Sequence, residues 1–224
     1  MLGPVAPTPY DLQFPLLGIP VRVSPWFWGM AAILGWPLLQ EGWPMLLLFI
    51  FAAFVSILVH EFGHALTARA FGHQPRVLLY QFGGLAMYAP THRFTLGRSI
   101  LIVAAGPLAG LVLGGIAFGA LVALVIFEVP VAPQLEGFLS ILATINFSWS
   151  LLNLLPVLPL DGGQILRDVL LLFTRSGLRI ALIVGLLVGA AVAIYGFTSG
   201  QIFLAVMFGA MAGGCLNDLQ QRSW

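Results

Sequence analysis

From Leu96 to Phe127 the chain carries one charged side chain, Arg98, and three further stretches are almost as apolar. Crossing the hydrocarbon core of a bilayer takes about 20 apolar residues as a helix, so runs of this kind constrain the fold before anything else does. The composition agrees. Hydrophobic residues make up 60% of the 224 and charged residues only 8%, against about 25% charged in a typical soluble domain. So few charges cannot clothe a water-soluble globule, which excludes a soluble enzyme. Disorder is excluded as well, because disordered chains are charge-rich and apolar-poor. A single cysteine, Cys215, forbids an internal disulfide. A net charge of +1 speaks against a nucleic-acid partner. The chain reads as an all-α polytopic membrane protein.

Six spans are predicted: about Trp26–Leu39, Pro44–Phe71, Leu96–Phe127, Leu135–Leu155, Leu178–Tyr195 and Gln201–Leu216. The first is short, and Trp26, Trp28 and Trp36 are placed in the aromatic belts of the interfaces. Met1–Gln13 lacks the cationic start and the small-residue cleavage site of a signal peptide, so the first span is expected to direct insertion. Arginine placement tests the count. All nine cations are Arg, and with a cytoplasmic N-terminus six spans put every one of them on the inner side. Both termini are therefore predicted cytoplasmic.

Two segments break the helical pattern. Leu16–Ser24 reads as a short extended strand at the interface. Arg76–Tyr88 reads as two strands around Gly83-Gly84, a hairpin between spans two and three. Open strand edges are not tolerated in lipid, so that hairpin must lie in protein or at the interface. No repeat or appended soluble domain stands out. Residues 1–224 read as one membrane-embedded domain, with a core of about 18–163 and accessory spans at about 178–216.

The chemistry concentrates in His60-Glu61-Phe62-Gly63-His64, an HExxH motif within span two. Residues four apart share a helix face, so both imidazoles can reach one ion. Glu61, rotated by about 100° from His60, can act on a water beside that ion. A polar cluster that merely pairs helices is the competing reading, and ionisable residues inside a span are costly unless functional. A catalytic zinc also needs a third protein ligand. His73 and His92 lie in the arginine-rich connection and read as solvated or interfacial histidines. Asp161 follows the Pro156 and Pro159 break at the end of span four. From spacing alone it is equally a ligand or a cap for the segment starting at Gln164. Asn146 is expected to bond a neighbouring helix, Gly106, Gly110 and Gly114 to pack against spans two and four, and Arg167 to pair with Asp168 at the interface.

HEFGH in a span, with Asn153-Leu-Leu-Pro156 and Leu160-Asp161-Gly162 further on, resembles the site-2 protease family of intramembrane zinc metalloproteases. HEFGHALTA, Phe82-Gly83-Gly84 and Ala105-Gly106-Pro107 are similar to that family too. The resemblance covers about Gly18–Gly163 and looks like the bare membrane core, without a PDZ or CBS domain. One departure stands in span three, where Gly106-Pro107 is followed by Leu108-Ala109-Gly110 instead of a small residue and Asn. The resemblance implies one zinc ion (Zn2+) held by His60, His64 and Asp161, with Glu61 as catalytic base and Asn153 near the reacting carbonyl. It further implies cleavage of a transmembrane protein substrate in the lipid bilayer, with the hairpin receiving the substrate as an added strand. Two other classes compete. A catalytically silent zinc-binding protein that sequesters partners would need a fourth protein ligand. A transporter of this size would show internal repeats.

Overall fold

A computed structural model describes residues 6–89 and 95–222. The described chain runs β1 (Leu12–Leu16), β2 (Ile19–Val23), α1 (Pro25–Gly35), a 3-10 turn (Trp36–Glu41), α2 (Trp43–Ala70), β3 (Arg76–Tyr80) and β4 (Gly83–Met87). It continues through α3 (Leu96–Ile126), α4 (Pro133–Asn153), α5 (Asp161–Phe173), α6 (Gly177–Thr198) and α7 (Ile202–Gln221). Five of these helices, α2, α3, α4, α6 and α7, are long and apolar enough to cross a membrane. The protein is a multi-pass integral membrane protein. Residues 6–89 with 105–150 form one compact unit, and residues 95–104 with 151–222 form another.

The first unit is organised by a four-stranded sheet of order β1-β2-β3-β4. β1 and β2 form a hairpin whose two-residue turn, Leu17-Gly18, has positive φ at both positions, the requirement of a tight hairpin turn. β2 pairs in parallel with β3, Val21 opposite Val77 and Val23 opposite Leu79. Parallel neighbours need a crossover connection, and here it is α1, the 3-10 turn and α2. The chain therefore leaves the sheet along α1 and returns to it along α2, which brings β3 in beside β2. Ile19, Val21, Val23, Val77 and Leu79 pack with Phe27, Ile57, Phe62 and Ala65, which seats the sheet against the second half of α2.

The structure departs from the expected elements in this unit. The first predicted span is not one long helix. It is the 11 residues of α1, about 17 Å, continued by the 3-10 turn that starts at Trp36-Pro37. Trp28 packs against the core, its ring 5.2 Å from that of Phe54, while Trp26 and Trp36 stay exposed. β1 is a strand that the sequence did not announce, because Pro15 interrupts its alternation. The β3–β4 turn is Gln81-Phe82, which leaves Gly83 and Gly84 inside β4.

α3 and α4 complete this unit. Gly110 meets Ser150 and Gly114 meets Asn146 and Phe147, so the four-residue glycine spacing packs α3 against α4 as expected. Asn146 Nδ2 donates to Ser56 Oγ at 2.8 Å and to the Leu142 carbonyl, tying α4 to α2.

In the second unit, Asn153 ends α4 and residues 154–160 form an irregular connection into α5. Gly162 and Gly163 press against backbone of that connection. A Cβ on either would sit 2.5–2.6 Å from the Leu155 carbonyl or from Val157 and Leu158 backbone. Asp168 is 1% exposed and accepts from Ser99 Oγ at 2.6 Å and Arg167 Nε at 2.7 Å, so the expected ion pair is also a buried tie between α5 and the start of α3. α6 and α7 pack through small residues, Gly189 on Ala212 and Gly185 on Cys215.

Candidate metal centre

His60, Glu61 and His64 lie in the second half of α2, a 28-residue helix, all within the first unit. Their side-chain donor atoms fall within 4.8 Å of one another, and all three residues are buried. His60 Nε2 and His64 Nε2 are 3.2 Å apart, with the rings nearly perpendicular at 81°. Two ligands of a tetrahedral zinc, each about 2.0–2.1 Å from the ion, stand roughly 3.3 Å from one another. The separation of the imidazole pair therefore matches that of two ligands on one zinc ion.

Three close backbone approaches hold this motif. At Gly63 the face of α2 meets α3, and a Cβ there would lie 2.8 Å from the Ala105 carbonyl carbon and 2.9 Å from Gly106 Cα. Across the same contact, a Cβ on Gly106 would enter the His64 ring, 2.8 Å from Cδ2. From the sheet, a Cβ on Gly84 would overlap the Glu61 side chain, 2.5 Å from Oε1 and 2.6 Å from Cδ. Tyr80, on β3, adds an electrostatic mark of the same neighbourhood. Burial raises its phenol above the ordinary tyrosine range, and the charge of Glu61 adds to the rise. Sequence reasoning missed Gly84 and Tyr80 as neighbours of Glu61. The glycine pair is visible in the sequence, where its composition points to the turn.

His73 is not a solvated histidine. It is 3% exposed and stacks on Tyr88, with ring centroids 5.0 Å apart. Its backbone N–H closes the end of α2 on the Ala68 carbonyl, which draws the ring inward. His92 lies outside the described residues. Asp161 occupies the first turn of α5 and is 7% exposed, and Asn153 occupies the last position of α4, both in the second unit.

A multi-pass helical protein with an HExxH pair on a buried helix face has the arrangement of a membrane-embedded metal site. Comparisons with known proteins narrow this reading. The model of peptidase family M50 matches residues 125–196, the stretch that carries Asn153 and Asp161 and runs into α6. A candidate zinc metalloprotease of Synechocystis sp. is 34% identical over 189 residues, which are 76% of this chain and 47% of that one. A zinc metalloprotease of Methanocaldococcus jannaschii is 29% identical over 163 residues, 70% of this chain and 44% of its own. The chain thus spans about half the length of the curated relatives it matches. The fold of the site-2 protease from Methanocaldococcus jannaschii matches with a TM-score of 0.65 at 23% identity, over 96% of this chain and 98% of that one. The chain is thus similar to peptidase family M50 over residues 125–196 and shares the fold of a site-2 protease.

Proposed function

We propose that this protein is an intramembrane zinc metalloendopeptidase that cleaves transmembrane protein substrates. The observation that carries the proposal is the buried His60–His64 pair at 3.2 Å between Nε2 atoms, with Glu61 enclosed beside it. The family and the names of its relatives as zinc metalloproteases support zinc as the ion. His60, His64 and Asp161 would hold it. When bound, zinc supplies Lewis acidity that lowers the pKa of a water toward about 7 and polarises a carbonyl.

The chain's own residues then divide the work. Glu61 accepts a proton from the attacking water and returns it to the leaving amine. Asn153 donates its amide N–H to the oxygen of the reacting carbonyl. β4, an edge of the sheet among the described residues, receives an unwound stretch of substrate by strand addition. Local unwinding is required because a helix hides its peptide groups in its own hydrogen bonds. Both termini and the opening to the site are assigned to the cytoplasmic side. His60 precedes Arg69 by nine residues, about 14 Å along the helix, so the site lies inside the bilayer but toward that face.

Comparative membrane proteomics of cells carrying the wild type or Glu61→Gln tests the proposal. A single-pass protein should accumulate uncut in the variant, and elemental analysis should find one zinc per chain in both. Identical membrane proteomes, or purified protein free of zinc, would refute it.

A further inference from the structure

The contact between β4 and α2 ties the catalytic base to one backbone position in the sheet. Tyr80 and Gly83 flank the two-residue turn and pair across it, and the next pair is Leu79 with Gly84. Hydrogen-bonded and non-bonded pairs alternate along an antiparallel ladder. The parity is set by Leu79, whose carbonyl accepts from Ser24 N–H at 2.9 Å, on the β2 side and away from β4. Leu79–Gly84 is accordingly a non-bonded pair, and the N–H and C=O of Gly84 point outward, to the edge that β4 forms among the described residues. Ala86 shares that parity. On the face of the sheet, the space where a Gly84 side chain would stand is filled by Glu61 Cγ, Cδ and Oε1.

We infer that Gly84 is a positioning residue for Glu61, which it locates against the substrate strand through the slot left by its missing side chain. The inference rests on the proposed protease reading and on strand addition to β4. A peptide added at that edge lies about 4.8 Å from β4, and the residue bonded to Gly84 is the one nearest the Glu61 carboxylate. Gly84 thereby sets which peptide bond faces the base. Any side chain at position 84 pushes the carboxylate out of line while leaving the imidazoles of His60 and His64 in place. Displacement of a catalytic group by about 1 Å costs about 100-fold in rate.

The test uses the full-length protein purified in detergent, loaded with zinc or, for spectroscopy, with Co2+. The cleavage probe is a single-pass leucine-rich helix with a central Asn-Pro break, carried between two soluble tags. Gly84→Ala should keep one metal per chain and lower kcat about 100-fold with KM within about threefold of wild type. Ala86→Pro, which deletes an outward N–H but no ladder bond, should instead raise KM with little change in kcat. Gly115→Ala, where a Cβ meets nothing within 4 Å, should match wild type. The Co2+ absorption spectrum of Gly84→Ala should shift as that of Glu61→Gln does, and the double variant should shift no further. This readout is independent of turnover. The inference is overturned if Gly84→Ala loses its metal, if its kcat stays within twofold of wild type, or if its Co2+ spectrum is that of wild type. Failure of the protease reading has a different signature: wild type and Glu61→Gln would treat the probe alike.

Discussion

The two parts of the proposed metal site are constructed in different ways. His60, Glu61 and His64 stand on one continuous helix, and their geometry follows from the 3.6-residue turn together with contacts from two other elements. Gly106 of α3 leaves room only for the His64 ring, and Gly84 of β4 only for the Glu61 carboxylate. Asp161 is presented differently, by a helix start after the broken connection 154–160, with Gly162 and Gly163 folded onto the backbone just before them. One part is a rigid rod clamped from the side; the other is a turn clamped by its own backbone. The contrast teaches that a helix can present two ligands by periodicity alone, whereas a third ligand from elsewhere needs a chain break and a reason for it to stay put.

The largest effect should separate ligands from base. His60→Ala, His64→Ala and Asp161→Ala are each expected to lose zinc, whereas Glu61→Gln keeps it and loses proteolysis by about 10²–10⁴-fold, the usual worth of a general base. Elemental analysis beside a cleavage assay reads both. Full zinc occupancy in Asp161→Ala would break the two-part description of the site. Next in size, Asn153→Ala should retain zinc and lower kcat about 100-fold, the cost of removing one donor to a developing oxyanion. An unchanged kcat would remove Asn153 from the chemistry.

The smaller effects concern stability and compare the two units through their buried polar ties. Asp168→Ala leaves Ser99 without its carboxylate acceptor and should cost about 1–3 kcal/mol, seen as a lower Tm in detergent with zinc content unchanged. Asn146→Ala removes the bond to Ser56 within the first unit. Interhelical hydrogen bonds in membranes are worth about 0.6 kcal/mol on average, so its Tm should fall least. If Asn146→Ala proved the more damaging of the two, the tie across α2 and α4 would be part of the site's support and not only a helix contact.

Much of this was legible in the amino-acid sequence because it depends on period and composition. Long apolar runs with almost no charge place α3, α4, α6 and α7 within a few residues, since hydrocarbon demands helices of a set length. The HExxH spacing places two imidazoles on one face, since helix geometry is local. β-Branched residues signal β2, and a short run beside the glycine pair signals β3. Asp161 was not settled by its own surroundings, where a ligand and a cap look alike, and only the likeness to a known family singled it out.

What the sequence by itself determined is therefore the membrane helices, the candidate metal-binding face of α2, and the existence of strands beside it. Only tertiary structure decided that the first span breaks after Gly35, that β1 joins the sheet, that His73 is buried under Tyr88, and that Gly84 lies against Glu61 instead of in the turn. The physical reason is the range of the forces concerned. Periodicity and hydropathy act along the chain and can be read along it. Register, crossover pairing and the room left by an absent Cβ are set by residues far apart in sequence, and they exist only once α2, α3 and the sheet have packed.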